Sequence, residues 1–308
     1  MANTNQRKAY GETLLALCKE NKDIVVLDAD LGGSTMGKMV ELELPAQHIE
    51  MGIAEANMLS VSGGLARVGK IPFANSFAVF AGGRAYDQIR QSISIGKLNV
   101  KICGSSAGFS DFGDGATHQS VDDIAIMRAI PNMTIIVPAD ANETVGATEY
   151  MAANPGPMYL RLNRNDYANV TPEGAPFTTA PKTVREGTDV VVFACGIMVG
   201  KSIEAAEKLA DSVSVKVVNV STIKPLDKQA IIDMAKGCKG VVTVEEHSVI
   251  GGLGSAISEA LCKECKPIEY VGANDSFGSS AHNYKDILDY MGLTVEHIEE
   301  AIKTIANL

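Results

Sequence analysis

The chain has 308 residues, of which 46% are hydrophobic and 21% are charged, and its formal net charge is −10. This length favours about two domains, each with a core of its own. The acidic balance argues against nonspecific nucleic-acid binding, which needs a basic face, and no apolar run is long enough to span a membrane. The N-terminal residues lack the hydrophobic stretch of a signal peptide, so a cytoplasmic protein is expected.

The cysteines favour a reducing compartment, because most of them lie in apolar segments that suit buried thiols. Cys262 and Cys265 form a single C-x-x-C near a predicted helix end. A zinc or redox site needs more than one such pair, and neither a second pair nor an adjacent histidine accompanies it. The spacing therefore indicates no function for this pair, and no metal ligand is predicted on this chain.

Eight short runs rich in Val and Ile alternate with helical patterns along the chain. The runs lack polar alternation, which is typical of strands buried on both faces of a parallel sheet. Repeated strand–helix units predict an α/β fold of two domains, each a mostly parallel sheet flanked by helices. The predicted strands cover residues 23–30, 100–105, 133–140, 158–162, 189–196, 213–221, 240–246 and 268–273.

A proline-containing stretch without an apolar period interrupts this rhythm. It carries Pro172, Pro176 and Pro181, and we interpret it as an interdomain linker that crosses the surface. The predicted organisation is a first domain at 1–165, a linker at 166–187 and a second domain at 188–308.

Polar residues gather where the strands of the first domain end. Asp28, Asp30, Ser105, Ser106 and Arg161 lie at or just after such ends. Ligands of doubly wound sheets bind beyond the carboxyl ends of the strands. This edge of the first domain is therefore the predicted ligand site.

The segment MGIAEANML, residues 51–59, places one carboxylate in an otherwise apolar helical pattern. At helical spacing Glu55 shares a face with Met51, Met58 and Leu59. A charged carboxylate on such a face costs several kcal/mol unless it is paired or protonated. Either Glu55 has a partner that the segment does not show, or the segment has a polar edge there.

The densest polar stretch is GSSAGFSDFGDGATHQSVDD, residues 104–123, which contains Asp111, Asp114, His118 and Gln119 among its glycines. Glycine-rich loops let the backbone approach a ligand closely, and a histidine can exchange hydrogen bonds with a substrate hydroxyl near neutral pH. A solvated loop with an incidental histidine is the alternative, but the position after a buried strand favours a site.

Two further stretches carry residues suited to ligands. Phe77 and Phe80 lie in IPFANSFAVFAGGRAYDQIR, where they either stack on a planar ring or belong to the core. Arg161 and Arg164 in YLRLNRND end a strand, where they either bind phosphate or carboxylate oxygens or form surface salt bridges.

Together these stretches resemble a known family. MGIAEANM, SFAVF, GDGATHQSVDDIAIMRAIPNM, VPADANE and LRLNR, in this order, resemble the pyrimidine-binding domain of transketolase. VVVFACGIMV, VKVVNVSTIKPLD and VEEHSVIGGLGSAI resemble the C-terminal domain of the same superfamily. Because a full-length transketolase begins with a diphosphate-binding domain, this chain resembles the C-terminal subunit of a split transketolase.

The resemblance implies thiamine diphosphate as the cofactor, and it implies that this cofactor is the missing partner of the Glu55 carboxylate. The matching glutamate in the family hydrogen-bonds N1′ of the aminopyrimidine, so Glu55 is the expected catalytic and cofactor-binding carboxyl group. Phe80, with Phe77 beside it, matches the aromatic residues against the pyrimidine ring. Asp30 matches an acidic residue on the cofactor side, and His118 is the second expected catalytic residue.

The resemblance also implies the substrate contacts. Asp114 and His118 match residues that hydrogen-bond sugar hydroxyls, while Ser34 and Arg164, with Arg161 as a neighbour, match phosphate contacts. Ser106 stands where split transketolases usually have a substrate-binding histidine, and FGD at 112–114 replaces a usual GED. These departures leave open ordinary pentose and hexose phosphates and branched or sulfonated sugars.

GDG at 113–115 with Asn142 mimics the magnesium–diphosphate motif of the family. We reject that interpretation, because Asn142 is single and the flanking sequence matches the sugar-contacting segment better. Magnesium or calcium is expected on an N-terminal diphosphate-binding subunit, in an assembly of two copies of each chain.

The expected activity is transfer of a two-carbon ketol unit from a ketose, phosphorylated by default, to an aldose. Alternatives are a beta subunit of a 2-oxo acid dehydrogenase, a deoxyxylulose phosphate synthase-like enzyme, and a non-catalytic regulatory homologue. Small sugars are the expected ligands, with no nucleic acid or membrane as a partner.

Overall fold

The computed structural model describes residues 5–308, which form two helix-flanked β-sheets. Short apolar runs form the strands and the amphipathic segments between them form the helices. The strands are β1 (Ile24–Asp28), β2 (His48–Glu50), β3 (Ile71–Phe77), β4 (Lys101–Ser105), β5 (Thr134–Ile136), β6 (Met158–Arg161), β7 (Lys182–Arg185), β8 (Val190–Ala194), β9 (Val215–Asn219), β10 (Thr222–Lys224), β11 (Gly240–Ser248) and β12 (Ile268–Ala273).

Longer amphipathic segments form the helices, and two π-helical segments, Val79–Arg84 and Ile89–Ser94, flank one of the short ones. The α-helices are α1 (Gln6–Glu20), α2 (Gly32–Thr35), α3 (Lys38–Glu43), α4 (Glu55–Arg67), α5 (Tyr86–Gln88), α6 (Asp123–Ala129), α7 (Ala141–Ala153), α8 (Met198–Lys208), α9 (Lys228–Ala235), α10 (Leu253–Leu261), α11 (Tyr284–Tyr290) and α12 (Val295–Ala306).

The first sheet has seven strands in the order β10–β5–β6–β4–β3–β1–β2. Neighbouring strands are parallel except at the edge, where β10 joins β5 antiparallel. Since β10 follows β9 of the other sheet in sequence, the second half of the chain completes the first sheet. The two halves are therefore bound together by backbone hydrogen bonds as well as by side chains.

The second sheet has five strands in the order β12–β11–β8–β9–β7 and is parallel except for the β7–β9 pair. The expected α/β architecture of two mostly parallel sheets is confirmed. One apolar cluster continues from the first sheet into the second, with Leu27 and Tyr159 at one end and Phe193 and Leu253 at the other.

Each of the eight predicted runs contains a strand, and four strands were not predicted. β2 and β10 have three residues each, too few for a recognisable pattern. β3 carries Pro72 and the buried polar residues Asn75 and Ser76, which conceal its period. β7 lies within residues 166–187, so the stretch interpreted as linker contributes an edge strand to the second sheet.

Within residues 5–308, no helix is long and apolar enough to cross a membrane. All six cysteines are free thiols; four are buried, as expected, whereas Cys262 and Cys265 are exposed beyond α10.

Candidate active site

The predicted site residues lie at one edge of the first sheet because β1, β3, β4 and β6 run in the same direction. Asp30 follows the end of β1, Phe77 ends β3, Ser106 follows β4 and Arg164 follows β6. Parallel strands thus bring together residues that are distant in sequence. They form two groups, one around Glu55 and one around Arg164.

The first group begins with Glu55, the first residue of α4 and only 1% exposed. Its two carboxylate oxygens each accept a hydrogen bond from Nη1 of Arg84 at 2.9 Å. This ion pair supplies the partner that a buried carboxylate requires. The expected helical face is correct for Met58 and Leu59 and wrong for Met51, because Gly52 has a φ of +67° and the helix starts three residues later.

Aromatic rings complete this group, which we call the Glu55 cluster: Glu55, Phe77, Phe80, Arg84 and His118. Phe77 and Phe80 are nearly parallel, with centroids 6.0 Å apart. The ring of His118 lies edge-on to Phe80 at 5.4 Å and to Phe77 at 6.3 Å. The guanidinium carbon of Arg84 lies 4.7 Å from the Phe80 centroid. A flat cationic group thus covers an aromatic face and donates to a buried carboxylate.

The second group lines a cleft of about 410 Å³, the arginine cleft. Its lining residues are Arg7, Ser110, Asp111, Phe112, Gly113, Asp114, Arg164 and Asn165. Nη1 of Arg164 donates to Oδ2 of Asp111 at 2.6 Å. Burial and the neighbouring Arg164 lower the pKa of Arg7, and the buried Nε of Arg7 has no hydrogen-bond partner within residues 5–308. Two close guanidinium groups, one with an unused donor, favour an anionic ligand.

The loop after β1 contacts the arginine cleft through Ser34, whose carbonyl oxygen accepts a hydrogen bond from Nη1 of Arg7 at 2.9 Å. Asp30 is exposed, has a φ of +57°, and donates its backbone N–H to Oε1 of Glu50 at 2.9 Å. Asp28 instead is fully buried, accepts a hydrogen bond from Thr35 Oγ1 at 2.6 Å and pairs with Nε2 of His48 at 2.9 Å. Asp28 therefore holds the segment after β1 in place through Thr35 and His48.

Arg161 and Ser106, two of the predicted substrate residues, lie outside both the Glu55 cluster and the lining of the arginine cleft. Arg161 is buried, donates from Nε to both oxygens of Asp123 at 3.1 and 2.9 Å, and donates from Nη2 to the carbonyls of Ser120 and Glu246. Its hydrogen bonds are thus made within the protein, and the one to Glu246 crosses to the second half of the chain. Ser106 is fully buried with a φ of +52°, and its Oγ has no partner among the described residues.

Asp114 and Asn142 differ in their surroundings. Asp114 is exposed in the arginine cleft, whereas Asn142 lies in α7, donates to the carbonyl of Thr171 and accepts from Asn169. The structure thus gives Asn142 a role in anchoring the segment that leaves the first domain.

Sequence reasoning missed Arg7 and Arg84. Arg7 opens α1, more than 150 residues before Arg164, so only the tertiary fold joins them. Arg84 lies in the aromatic stretch of residues 71–90, and its separation of four residues from Phe80 could have indicated a contact between the two side chains. Residues three or four apart face each other on a helix, and the π-helical turn keeps these two side by side.

The chain is an α/β protein of two mostly parallel sheets, with a buried glutamate beside stacked phenylalanines at one edge of the first sheet. The sequence matches the family models "Transketolase, pyrimidine binding domain" over residues 2–169 and "Transketolase, C-terminal domain" over residues 180–298. The chain belongs to the transketolase family.

Two similar proteins match this chain over nearly the whole of both lengths. The 6-deoxy-6-sulfo-D-fructose transketolase subunit SqwH of Clostridium sp. strain MSTE9 is 40% identical, covering 98% of this chain and 94% of the relative. An apulose-4-phosphate transketolase subunit of Phocaeicola vulgatus is 36% identical, covering 95% of this chain and 94% of the relative.

A solved structure extends the likeness to the whole fold. A split-gene transketolase described as an inactive β4 tetramer is 41% identical and superimposes with a TM-score of 0.90, covering 100% of this chain and 99% of the other. This chain is thus a C-terminal transketolase subunit that contains the pyrimidine-binding and C-terminal domains.

The Glu55 cluster fits the aminopyrimidine of thiamine diphosphate. The observation that tests the fit is the guanidinium of Arg84, a flat cationic donor that already lies between the Phe80 ring and the buried carboxylate. An aminopyrimidine protonated at a ring nitrogen offers the same combination of a flat π-system and a charge-assisted N–H. Glu55 and Phe80 would hold that ring, with Phe77 supporting Phe80 from the side.

Proposed function

We propose that this chain and a separate diphosphate-binding subunit form a transketolase that moves a two-carbon ketol unit from an anionic ketose to an aldose. The observation that carries the proposal is the buried Glu55 carboxylate, which faces a cationic donor above an aromatic ring instead of apolar core. A merely structural glutamate gains nothing from this arrangement, because an apolar side chain at 55 would avoid the cost of burying a charge.

Three residues of the Glu55 cluster, Glu55, Phe80 and His118, have separate tasks in this reaction. When bound, thiamine diphosphate supplies the carbon nucleophile that accepts and releases the two-carbon unit. Glu55 holds a proton at the ring nitrogen of the aminopyrimidine, and Phe80 fixes the plane of that ring. His118 lies edge-on to Phe80 and exchanges hydrogen bonds with hydroxyl groups of the sugar.

The arginine cleft binds the far end of the sugar. Arg7 and Arg164 donate to the anionic tail, and the exposed carboxylate of Asp114 accepts from sugar hydroxyls. Asp111 already offsets part of the positive charge through its 2.6 Å contact with Arg164. Such a cleft suits either a sulfonate, which carries one negative charge, or a phosphate. The similar sulfofructose transketolase subunit supports a sulfonated sugar as one candidate.

The partner subunit supplies the diphosphate side of the proposed site. We assign it the diphosphate site and the magnesium or calcium ion, and we place two copies of each chain in the assembly. Asp30, exposed at the end of β1, then faces the cofactor from this side of the interface. The description of the similar split-gene structure as an inactive β4 tetramer supports a requirement for the partner.

Reconstitution tests the proposal. The chain is purified alone and together with the candidate diphosphate-binding subunit encoded beside it, and both preparations receive thiamine diphosphate, magnesium and a panel of ketose donors and aldose acceptors. We expect transfer of a two-carbon unit in the mixture only. Turnover by the isolated chain would refute the split site, and oxidative decarboxylation of a 2-oxo acid would favour a dehydrogenase beta subunit.

A non-catalytic homologue is the second candidate from a different class. If this candidate is correct, the chain and its partner form a stable complex, and this complex binds the cofactor but turns over none of the sugars. The retained Glu55, Phe80 and His118 argue against it, because loss of catalysis removes the selection on such a costly buried charge.

A further inference from the structure

We propose that Arg84 occupies the aminopyrimidine position of the unloaded chain, so that the cofactor must displace this side chain before its ring reaches Glu55 and Phe80. The inference rests on the proposed function of the Glu55 cluster and adds a gate to it. The gate is a single side chain, and both of its contacts are with residues expected to hold the ring.

The geometry places the guanidinium in direct competition with the ring. Nη1 of Arg84 lies 2.9 Å from both Oε1 and Oε2 of Glu55, so the donor position in front of the carboxylate is filled. The guanidinium carbon lies over the Phe80 ring, 4.7 Å from its centroid, which is within cation–π distance. An aromatic ring cannot contact the same face of Phe80 and the same carboxylate while Arg84 stays in place.

Arg84 can leave at little cost in buried surface, whereas Glu55 cannot. The Arg84 side chain is 52% exposed, and that of Glu55 is 1% exposed. Gly82 and Gly83 precede the arginine at the end of the π-helical segment, and a Cβ at Gly83 would meet nothing within 4 Å. The arginine therefore stands at an open turn, from which its long side chain can rotate toward solvent.

The buried Glu55 carboxylate has a cationic partner both before and after the exchange. With Arg84 in place, the Glu55 carboxylate has a cationic partner; with the cofactor bound, the protonated ring nitrogen takes that role. A buried carboxylate without either partner is costly, which explains why an unloaded chain benefits from a replaceable cation. In such a competition the apparent dissociation constant equals the intrinsic one divided by the fraction of chains with the site open.

The test measures binding of the pyrimidine half of the cofactor to the full chain. The probe is 4-amino-5-hydroxymethyl-2-methylpyrimidine, titrated by calorimetry and by ligand-observed NMR, so no partner subunit or turnover is needed. Arg84→Ala removes the competitor and should bind the probe roughly tenfold more tightly than the wild type. Arg90→Ala, at an exposed arginine in the second π-helical segment, is the matched control and should bind like the wild type.

Thermal melting provides a second readout. Arg84→Ala leaves the Glu55 charge buried and unpaired, so the melting temperature of this variant should be lower than that of the wild type. Saturating probe should raise the melting temperature of the variant by more than it raises that of the wild type. Arg84→Gln keeps a flat donor of similar reach without the charge. It should bind the probe with an intermediate affinity, and it replaces the alanine variant if that variant does not fold.

The outcomes separate this inference from the proposed function. Probe binding to the wild type that Glu55→Gln weakens, together with no gain or a loss in Arg84→Ala, would overturn the gate and leave the cofactor site intact. In that case Arg84 would be a contact that supports the ring. Absence of probe binding in every variant would overturn the cofactor site and the gate together.

Discussion

At the scale of single residues, both candidate groups pair an acid with an arginine. In the first pair the Glu55 side chain is 1% exposed and that of Arg84 is 52% exposed. In the second pair the Asp111 side chain is 3% exposed and that of Arg164 is 30% exposed. In each pair the buried member is fixed and the more exposed member can turn to a ligand. These pairs hold the charges of the site at low cost until a ligand of matching charge replaces one partner.

Glu55→Gln tests the proton-holding role in the assembled enzyme. The amide keeps the shape of the side chain but cannot hold a proton at the ring nitrogen in the same way. We expect turnover to fall on the order of a hundredfold, the scale of a lost acid–base group, with assembly unchanged. Steady-state rates are compared with those of Glu41→Gln, at an exposed glutamate of α3. Near-normal turnover in Glu55→Gln would remove this role.

Arg164→Ala tests the arginine cleft. Each charge-assisted hydrogen bond to an anionic tail is worth about 1.5–3 kcal/mol, so the Michaelis constant for an anionic sugar should rise roughly tenfold or more. A neutral ketose should be barely affected. The measurement is kcat/KM for matched charged and uncharged donors, with Arg67→Ala, exposed at the end of α4, as the control. Equal losses on both donors would mean that Arg164 holds the fold or the interface.

At the scale of elements, three consecutive residues of β11 accept backbone hydrogen bonds, and two of them, Glu246 and His247, join the two halves of the chain. Glu245 accepts from the backbone N–H groups of Leu253 and Gly254 at the start of α10. Glu246 accepts from the N–H of Phe109 and from Asn163, and so fixes the loop that leads to the arginine cleft. The N–H groups of Ile124 and Ala125, at the start of α6, donate to Nε2 of His247. The second domain therefore orients the substrate-side loops of the first.

Asp123→Asn tests the buried ion pair of Arg161, whose Nη2 also donates to the carbonyl of Glu246 in the second half of the chain. Asp123 accepts from Nε of Arg161 and from the hydroxyl of Tyr159, and both side chains of the ion pair are buried. Removing one charge of a buried pair leaves the other uncompensated and costs about 3–5 kcal/mol. We expect a loss of that size in the free energy of unfolding by denaturant.

The adjacent, exposed Asp122 offers the control Asp122→Asn, which should change little. If Arg161 also contacted the sugar, Asp123→Asn would raise the Michaelis constant for an anionic donor in the assembled enzyme. An unchanged Michaelis constant with a large loss of stability would assign Arg161 to the domain contact.

How far the sequence predicts each element follows from the range of its contacts. β8 is a continuous apolar run and β11 begins with one, so their composition is a local signal and both were predicted. β10 is three residues whose strand conformation depends on pairing with β5 across the domain boundary. Likewise Glu55 was singled out because its local surroundings are apolar, but its ion pair with Arg84 requires a π-helical turn, and the burial of Arg161 requires the second domain.

At the scale of the whole molecule, the contact between the two halves is rich in buried titratable groups. Burial raises the pKa values of Glu143 and Glu246, and it raises that of Glu245 to about 7 despite the N–H groups that donate to it. Burial also lowers the pKa of His247 to about 4. The fold agrees with a neutral His247, because its Nε2 accepts backbone hydrogen bonds and its Nδ1 contacts the carbonyl oxygen of Ser248 at 2.7 Å. Stability of the chain should therefore respond to pH through this contact.

The signs of the Glu245 and His247 contributions are opposite. Glu245 ionises near 4.5 when exposed and near 7 when folded, so the folded chain binds the extra proton and its stability falls as pH rises between those values. His247 titrates near 6.5 when exposed and near 4 when folded, so the unfolded chain binds the extra proton and stability falls as pH drops through that window. Between pH 4.5 and 6.5 the two effects oppose each other.

Two variants separate these contributions. Glu245→Gln removes the Glu245 contribution, so relative to the wild type its unfolding free energy should increase from pH 4.5 to 6.5 by about 3 kcal/mol. Because Oε2 of Glu245 lies 3.7 Å from Nδ1 of His247, the double variant is measured as well to obtain the coupling between the two groups. His247→Gln leaves the Glu245 contribution alone and should change by a similar amount in the opposite direction. Denaturant unfolding of the isolated chain at half-unit steps of pH measures both. Relative slopes of the same sign in the two variants would contradict the assignment of these charges, since only opposite pKa shifts can produce opposite slopes from adjacent sites on one strand.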